Sequence, residues 1–301
     1  MSFYCRLVRE SCVALLTNEH RALKKGILLT VAYAFVMSIA GMAAKQVQVS
    51  VAVPTLVFWQ SVFCLVVLYP QLHGRWQRRS ITVWKLHLLR SVGGFTGFLF
   101  YYWALNHIPL VEATLLRYCA PLCVPLVVFV MHRIAVPKAR WAPLVVGFFG
   151  VICIIQPTPE NLNPWHLVGF LSAIGLAFSM VTTRMLSHQV SGQETMMVYF
   201  LISAVLSLLL VWVQGESLLL PMESWSLVVI VCVALYLGMY LYTKAYSYAP
   251  ASVVSPVSYS GVIFSGLWGW IVWGHIPNEI AYIGMVLIFL SIAISARMTR
   301  H

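Results

Sequence analysis

Apolar residues in this chain gather into ten blocks, at about 26–44, 53–71, 86–106, 111–131, 141–156, 166–184, 195–213, 225–247, 252–273 and 279–296. Most approach twenty residues, long enough to cross a hydrocarbon core of roughly 30 Å at 1.5 Å of helix rise per residue. The pattern predicts an all-α integral membrane protein with ten transmembrane helices. The fifth block is short, and only a few residues part the third from the fourth. One stretch is out of character: 108–131 reads IPLVEATLLRYCAPLCVPLVVFVM and carries Arg117, Pro121 and Pro125. A charge inside an apolar span costs about 2.5–3.5 kcal/mol on insertion scales and is kept where it faces a polar cavity or a partner.

Composition agrees with a membrane environment. The 301 residues are 61% hydrophobic and 9% charged, against roughly 25% charged in a soluble domain. A net charge of +11 would suit nucleic acid, but most of the charges fall in the short links between blocks, so no nucleic-acid partner is expected. Counting Lys and Arg link by link puts one group on one side: five in residues 1–25, four in 72–85, three in 132–140, then Arg184, Arg297 and Arg300. Only Lys45 falls opposite, together with Glu160, Glu216, Glu223 and Glu279. The positive-inside rule then places both termini in the cytoplasm. Residues 1–25 have no signal-peptide pattern and are read as a cytoplasmic basic tail, either amphipathic on the inner leaflet or mobile. The seven cysteines make no metal-ligand pattern with histidine, and no metal or cofactor is expected.

The second half repeats the first. A shift of 141 residues lays Gly97, Tyr101, Ala104, Pro109, Tyr118 and Leu126 on Gly238, Tyr242, Ala245, Pro250, Tyr259 and Leu267; a shift of 143 lays Gly26, Ala34, Met37 and Met42 on Gly169, Ala177, Met180 and Met185. Each copy holds five spans, an odd number, so the copies run through the membrane in opposite senses. The expected domains are a first repeat at 26–156 and an inverted second repeat at 166–296. Inverted repeats place a binding site near the midplane, between the copies.

The segments LRSVGGFTGFLFYYWAL from Leu89, IPLVEAT from Ile108, GFFGV from Gly147, KAYSYAPASVVSPVSY from Lys244 and WGHIP from Trp273 resemble the EamA branch of the drug/metabolite transporter superfamily, over about 26–296. Within it the chain looks most like carriers for S-adenosylmethionine and riboflavin uptake. The resemblance implies ten helices in two inverted five-helix repeats, alternating access and a central cavity for a small-molecule substrate in a bacterial-type inner membrane, with proton or exchange coupling left open. It names no substrate. Where the family commonly has Glu, this chain has His275 and, in the first copy, Arg133 or Ile134.

Several residues are candidates for a site. Arg117 is read as a substrate or gate residue, with a structural pair to Glu112 or a carbonyl as the alternative. Tyr236, Tyr240 and Lys244 form one helical stripe, and the repeat maps Lys244 onto Trp103 and Arg117 onto Ser258. Lys244 binds substrate or snorkels to the surface. Tyr118 and Tyr259 are repeat mates with stacking faces for a planar ligand. Glu112 either complements its helix N-terminus or carries a proton. Pro121 and Pro256 interrupt backbone bonding and are gating candidates. Arg90 is expected to anchor headgroups or a loop. Two cations and aromatic walls favour a substrate with a carboxylate and a ring, an amino acid or a nucleoside-like metabolite such as S-adenosylmethionine. An exporter of amino acids or drugs with the same fold is the first alternative. A receptor or assembly factor without transport is the second, disfavoured because no loop exceeds about 15 residues. No nucleophile-base, metal or phosphate-binding motif points to an enzyme.

Overall fold

The computed structural model describes residues 2–72, 79–133, 141–156, 163–187, 189–249, 251–274 and 279–298, with side chains described for most of them from Arg21 onward. The first predicted span belongs to a longer helix, α1 (Ser2–Val47), which includes the basic tail. It is followed by α2 (Val53–Leu72), α3 (Ile81–His107), α4 (Leu110–Tyr118), α5 (Ala120–His132) and α6 (Trp141–Ile155). Then come α7 (Pro164–Leu186), α8 (Gly192–Gln214), α9 (Trp225–Tyr248), α10 (Ala251–Ser258), α11 (Ser260–Trp273) and α12 (Glu279–Met298). The chain is helical throughout these elements. Among the described residues, five stretches are long and apolar enough to cross a membrane by length and composition: Arg21–Val47, Val53–Gln71, Pro164–Leu186, Gly192–Gln214 and Met222–Tyr248.

Sequence chemistry explains where helices start and stop. Ser191 caps α8 by accepting from the Glu194 N–H at 3.1 Å. Asn163 accepts from the Trp165 N–H, while its own N–H donates to Nδ1 of His166, which closes both ends of a capping box on α7. Gly215 ends α8 at φ 67°, a left-handed conformation that glycine adopts without steric cost.

Two predicted spans are not single helices. The fourth is divided at Cys119 (φ −68°, ψ −9°) into α4 and α5, and the ninth at Tyr259 (φ −58°, ψ −19°) into α10 and α11. At the first break the cause is local: Pro121, second in α5, has no N–H to give the Arg117 carbonyl. The Cys119 N–H is shared between the carbonyls of Leu115 at 3.2 Å and Leu116 at 3.1 Å, the bifurcated geometry common at helix ends. No proline stands at the start of α11.

The principal pairings are α1 with α9, α3 with α7, α2 with α8, and α6 with α12; α5 also packs on α7, α10 and α11 on α1, and α4 on α11. Each joins a helix before residue 157 to one after 163. Between α3 and α7 the backbones nearly touch: a Cβ on Gly175 would lie 2.8 Å from the Gly93 carbonyl oxygen and 2.9 Å from the Gly97 nitrogen. Small residues allow that approach. Polarity is arranged inside out. Thr30, Gln60, Ser61, Ser172, Thr182 and Ser207 are buried, whereas Leu28, Val66, Leu201 and Ile271 face outward. Interior hydroxyls and amides pair between helices, as Tyr102 donates to Oε1 of Gln60 at 2.9 Å and Ser61 to Oγ of Ser203 at 3.1 Å.

Candidate functional site

Arg117 lies in the last turn of α4, two residues before the break at Cys119. Its side chain is buried, and its Cζ stands 3.9 Å from the ring centroid of Phe98 and 4.7 Å from that of Tyr101, both on α3. These ring faces offer a guanidinium electrostatic attraction without a counter-charge. Its Nη1 is buried and has no hydrogen-bond partner. Tyr33, Tyr102, Tyr118 and Tyr199 also stand within its electrostatic reach. The pair with Glu112, one of the sequence alternatives, is not formed. Glu112 accepts instead from Nε2 of His166 on α7 at 2.8 Å. It lies in the first turn of α4, but the N-cap is Pro109, and no side chain caps that end.

The structure brings some of the other candidates to Arg117 and leaves others away from it. Tyr118 and Tyr259 share one buried cluster with Leu115 and Val262. Gly261 sits under the ring of Tyr118 and Gly147 under that of Tyr259, where a Cβ would collide with the rings. The Tyr259 hydroxyl is buried without a partner. Ser258 is buried beside the second break. Trp103 instead lines an open groove of about 530 Å³ with Pro54, His107 and Trp165. Tyr240 and Lys244 lie on an exposed stripe of α9, with Lys244 Nζ 5.5 Å from the Tyr240 ring centroid. They face a separate groove of about 380 Å³ with Lys25 and Tyr248, which fits the snorkelling alternative for Lys244. The side chains of Pro121 and Pro256 and residues Ile134 and His275 lie outside the described residues.

The expectation for Arg90 was wrong. It is buried, with its Cζ 4.3 Å from the Tyr199 ring centroid on α8 and its Nε unpartnered. The spacing held a signal for this position: Arg90, Gly94, Phe98 and Tyr101 are separated by four, four and three residues and share one helical face. Nearby His87 is buried with both ring nitrogens unpartnered.

Charged contacts tie helices at both ends of the bundle. Lys45 Nζ donates to the carbonyls of Leu105 at 2.8 Å and Ile108 at 2.6 Å, satisfying acceptors at the end of α3. At the opposite end Arg79 holds Glu194 through two bonds, Nε to Oε1 at 2.9 Å and Nη2 to Oε2 at 2.7 Å. That hydrogen bonding raises the Arg79 guanidinium above its ordinary pKa.

Comparison with known proteins identifies the class. The EamA-like transporter family matches the chain twice, over residues 24–156 and 163–297. The pseudopaline exporter CntI of Pseudomonas aeruginosa is 27% identical over 272 residues, covering 89% of this chain and 95% of its own. A riboflavin transporter of Vibrio cholerae is 28% identical over 270 residues, covering 87% and 88%. A solved structure described only as a crystal structure of a protein is 21% identical and superposes with a TM-score of 0.66 over 94% of this chain and 98% of its own, a likeness of fold. The chain belongs to the EamA-like transporter family, the drug/metabolite transporter branch that its motifs resemble, and is a membrane transporter rather than an enzyme.

Proposed function

We propose that the chain is a secondary transporter moving a small organic metabolite with a carboxylate across the cytoplasmic membrane by alternating access. An amino acid or a nucleoside-like metabolite such as S-adenosylmethionine is the preferred class. The proposed architecture is ten membrane crossings in two inverted repeats, 26–156 and 166–296, with α4–α5 and α10–α11 each making one broken crossing and both termini cytoplasmic.

The helix pairings support this reading. With α4–α5 and α10–α11 each taken as one crossing, exchanging the halves turns the pairing of α1 with α9 into that of α7 with α3. The same exchange turns α5 on α7 into α11 on α1, and leaves α2 with α8 and α6 with α12 in place. The two breaks also fall one residue from equivalence under the 141-residue shift. In this reading Tyr118, Tyr259 and Ser258 line the path beside Arg117. The Glu112–His166 bond closes one end between α4 and α7, with Glu112 the candidate coupling residue, and the breaks at Cys119 and Tyr259, close to the gating candidates Pro121 and Pro256, let the broken crossings move. Trp103, Tyr240 and Lys244 lie away from this cluster, so the reading does not rest on them.

One observation carries the proposal. Arg117 is a buried guanidinium with an unpartnered nitrogen and no carboxylate bonded to it among the described residues, an arrangement that a substrate anion would complete. The test is counterflow in proteoliposomes with labelled amino acids and S-adenosylmethionine, an assay that reads exchange whether the physiological flux is uptake or export. Wild type is expected to exchange at least one compound, and a folded Arg117→Gln variant to lose that exchange by about tenfold or more. Equal exchange by the variant overturns the assignment.

A further inference from the structure

Arg90 lies on the face of α3 against which Arg117 of α4 packs its guanidinium. A Cβ on Gly94 would lie 2.8 Å from Nη1 of Arg90, so that guanidinium reaches up the helix to the level of residue 94. Arg117 lies over Phe98. Positions 94 and 98 are one turn apart, about 6 Å along the axis. Tyr199 is within electrostatic reach of both cations. Tyr33 is within reach of Arg117 and Tyr242 within reach of Arg90, and their rings meet at 4.8 Å. Side chains from α1, α8 and α9 thus stand near one or both guanidiniums, and Tyr33 and Tyr242 keep accessible surface.

No described carboxylate neutralises this pair. The chain contains no aspartate. Glu194 gives both oxygens to Arg79, and Glu112 is bonded to His166. Glu216, Glu223 and Glu279 are exposed. Two buried guanidiniums carry a desolvation cost that ring faces offset only in part. A ligand with one acid group neutralises one of them. A ligand with two, long enough to reach from one guanidinium to the other, neutralises both through charge-assisted bonds.

We infer that Arg90 and Arg117 form a two-cation site selecting substrates with two acidic groups. The inference rests on the transport reading above and narrows its substrate class. Arg90 is the selecting residue: it distinguishes a diacid from a monoacid, while Arg117 binds either.

Purified protein titrated calorimetrically with glutarate, adipate and pimelate, and with the monomethyl ester of each, tests this. Wild type is expected to bind the best-fitting diacid about tenfold or more tightly than its ester. Arg90→Gln is expected to bind the two equally, at the affinity of the ester for wild type, while Arg90→Lys retains most of the preference. Gly94→Ala, which crowds the Arg90 nitrogen, is expected to reduce it and carries the same test if Arg90→Gln does not fold. Equal binding of diacid and ester by wild type, or an undiminished preference in folded Arg90→Gln or Gly94→Ala, overturns the two-cation site. The transport reading then still stands if counterflow depends on Arg117; loss of that dependence overturns both.

Discussion

Nε2 of His166 meets the Glu112 carboxylate while Nδ1 of the same ring accepts the Asn163 N–H that helps cap α7. A single neutral tautomer, with the proton on Nε2, makes both bonds. The ring therefore ties the start of α7 to the start of α4, five residues from Arg117. A double-mutant cycle with Glu112→Gln and His166→Asn, read by thermal unfolding in detergent, is expected to show a coupling of about 1 kcal/mol. Additivity within about 0.3 kcal/mol removes the contact from the account of how this end closes. Arg117 was legible in the sequence because a charge deep in an apolar run is costly and needs a polar cavity or a partner to hold it there. Arg90 was legible only in its helical spacing to Gly94 and Phe98, because it lies five residues after Lys85, where a basic residue reads as a surface anchor. Its burial depends on Tyr199, more than a hundred positions away, and on the missing side chain at Gly94.

Helix lengths, by contrast, were written in the run lengths of apolar residues, and most predicted spans correspond to observed helices. The breaks were only half visible. Pro121 marks the first; nothing comparable stands at Tyr259, where the packing of Tyr118 over Gly261 distinguishes the site. The contact between α3 and α7 is sensitive to one methyl group. Gly175→Ala places a carbon against backbone atoms that cannot rotate away, and the cost of overpacking, about 1–3 kcal/mol, exceeds the roughly 1 kcal/mol gained in helix propensity. A Cβ at Gly266, in α11, meets nothing within 4 Å. Gly175→Ala is expected to lower Tm by several degrees and Gly266→Ala to leave it unchanged or raise it. Equal melting of the two variants dismisses close backbone approach as the reason for glycine at 175.

At the scale of the whole molecule, the ten-crossing proposal makes the side of every link a consequence of one choice. A reporter fused after Arg300 is expected to be active only on the cytoplasmic side, and one inserted at Glu216, between α8 and α9, only outside. A reporter at Glu216 active inside removes the inverted arrangement. The two breaks then have a mechanical meaning. Helices of nine and thirteen residues, α4 and α5, are rigid levers joined at a single pivot. A 10° rotation there swings the far end of α4 by about 2 Å and that of α5 by about 3 Å, while the Arg117 backbone, two residues from the fulcrum, travels about 0.5 Å. On that proposal the doors swing, and the backbone that carries the cation hardly shifts.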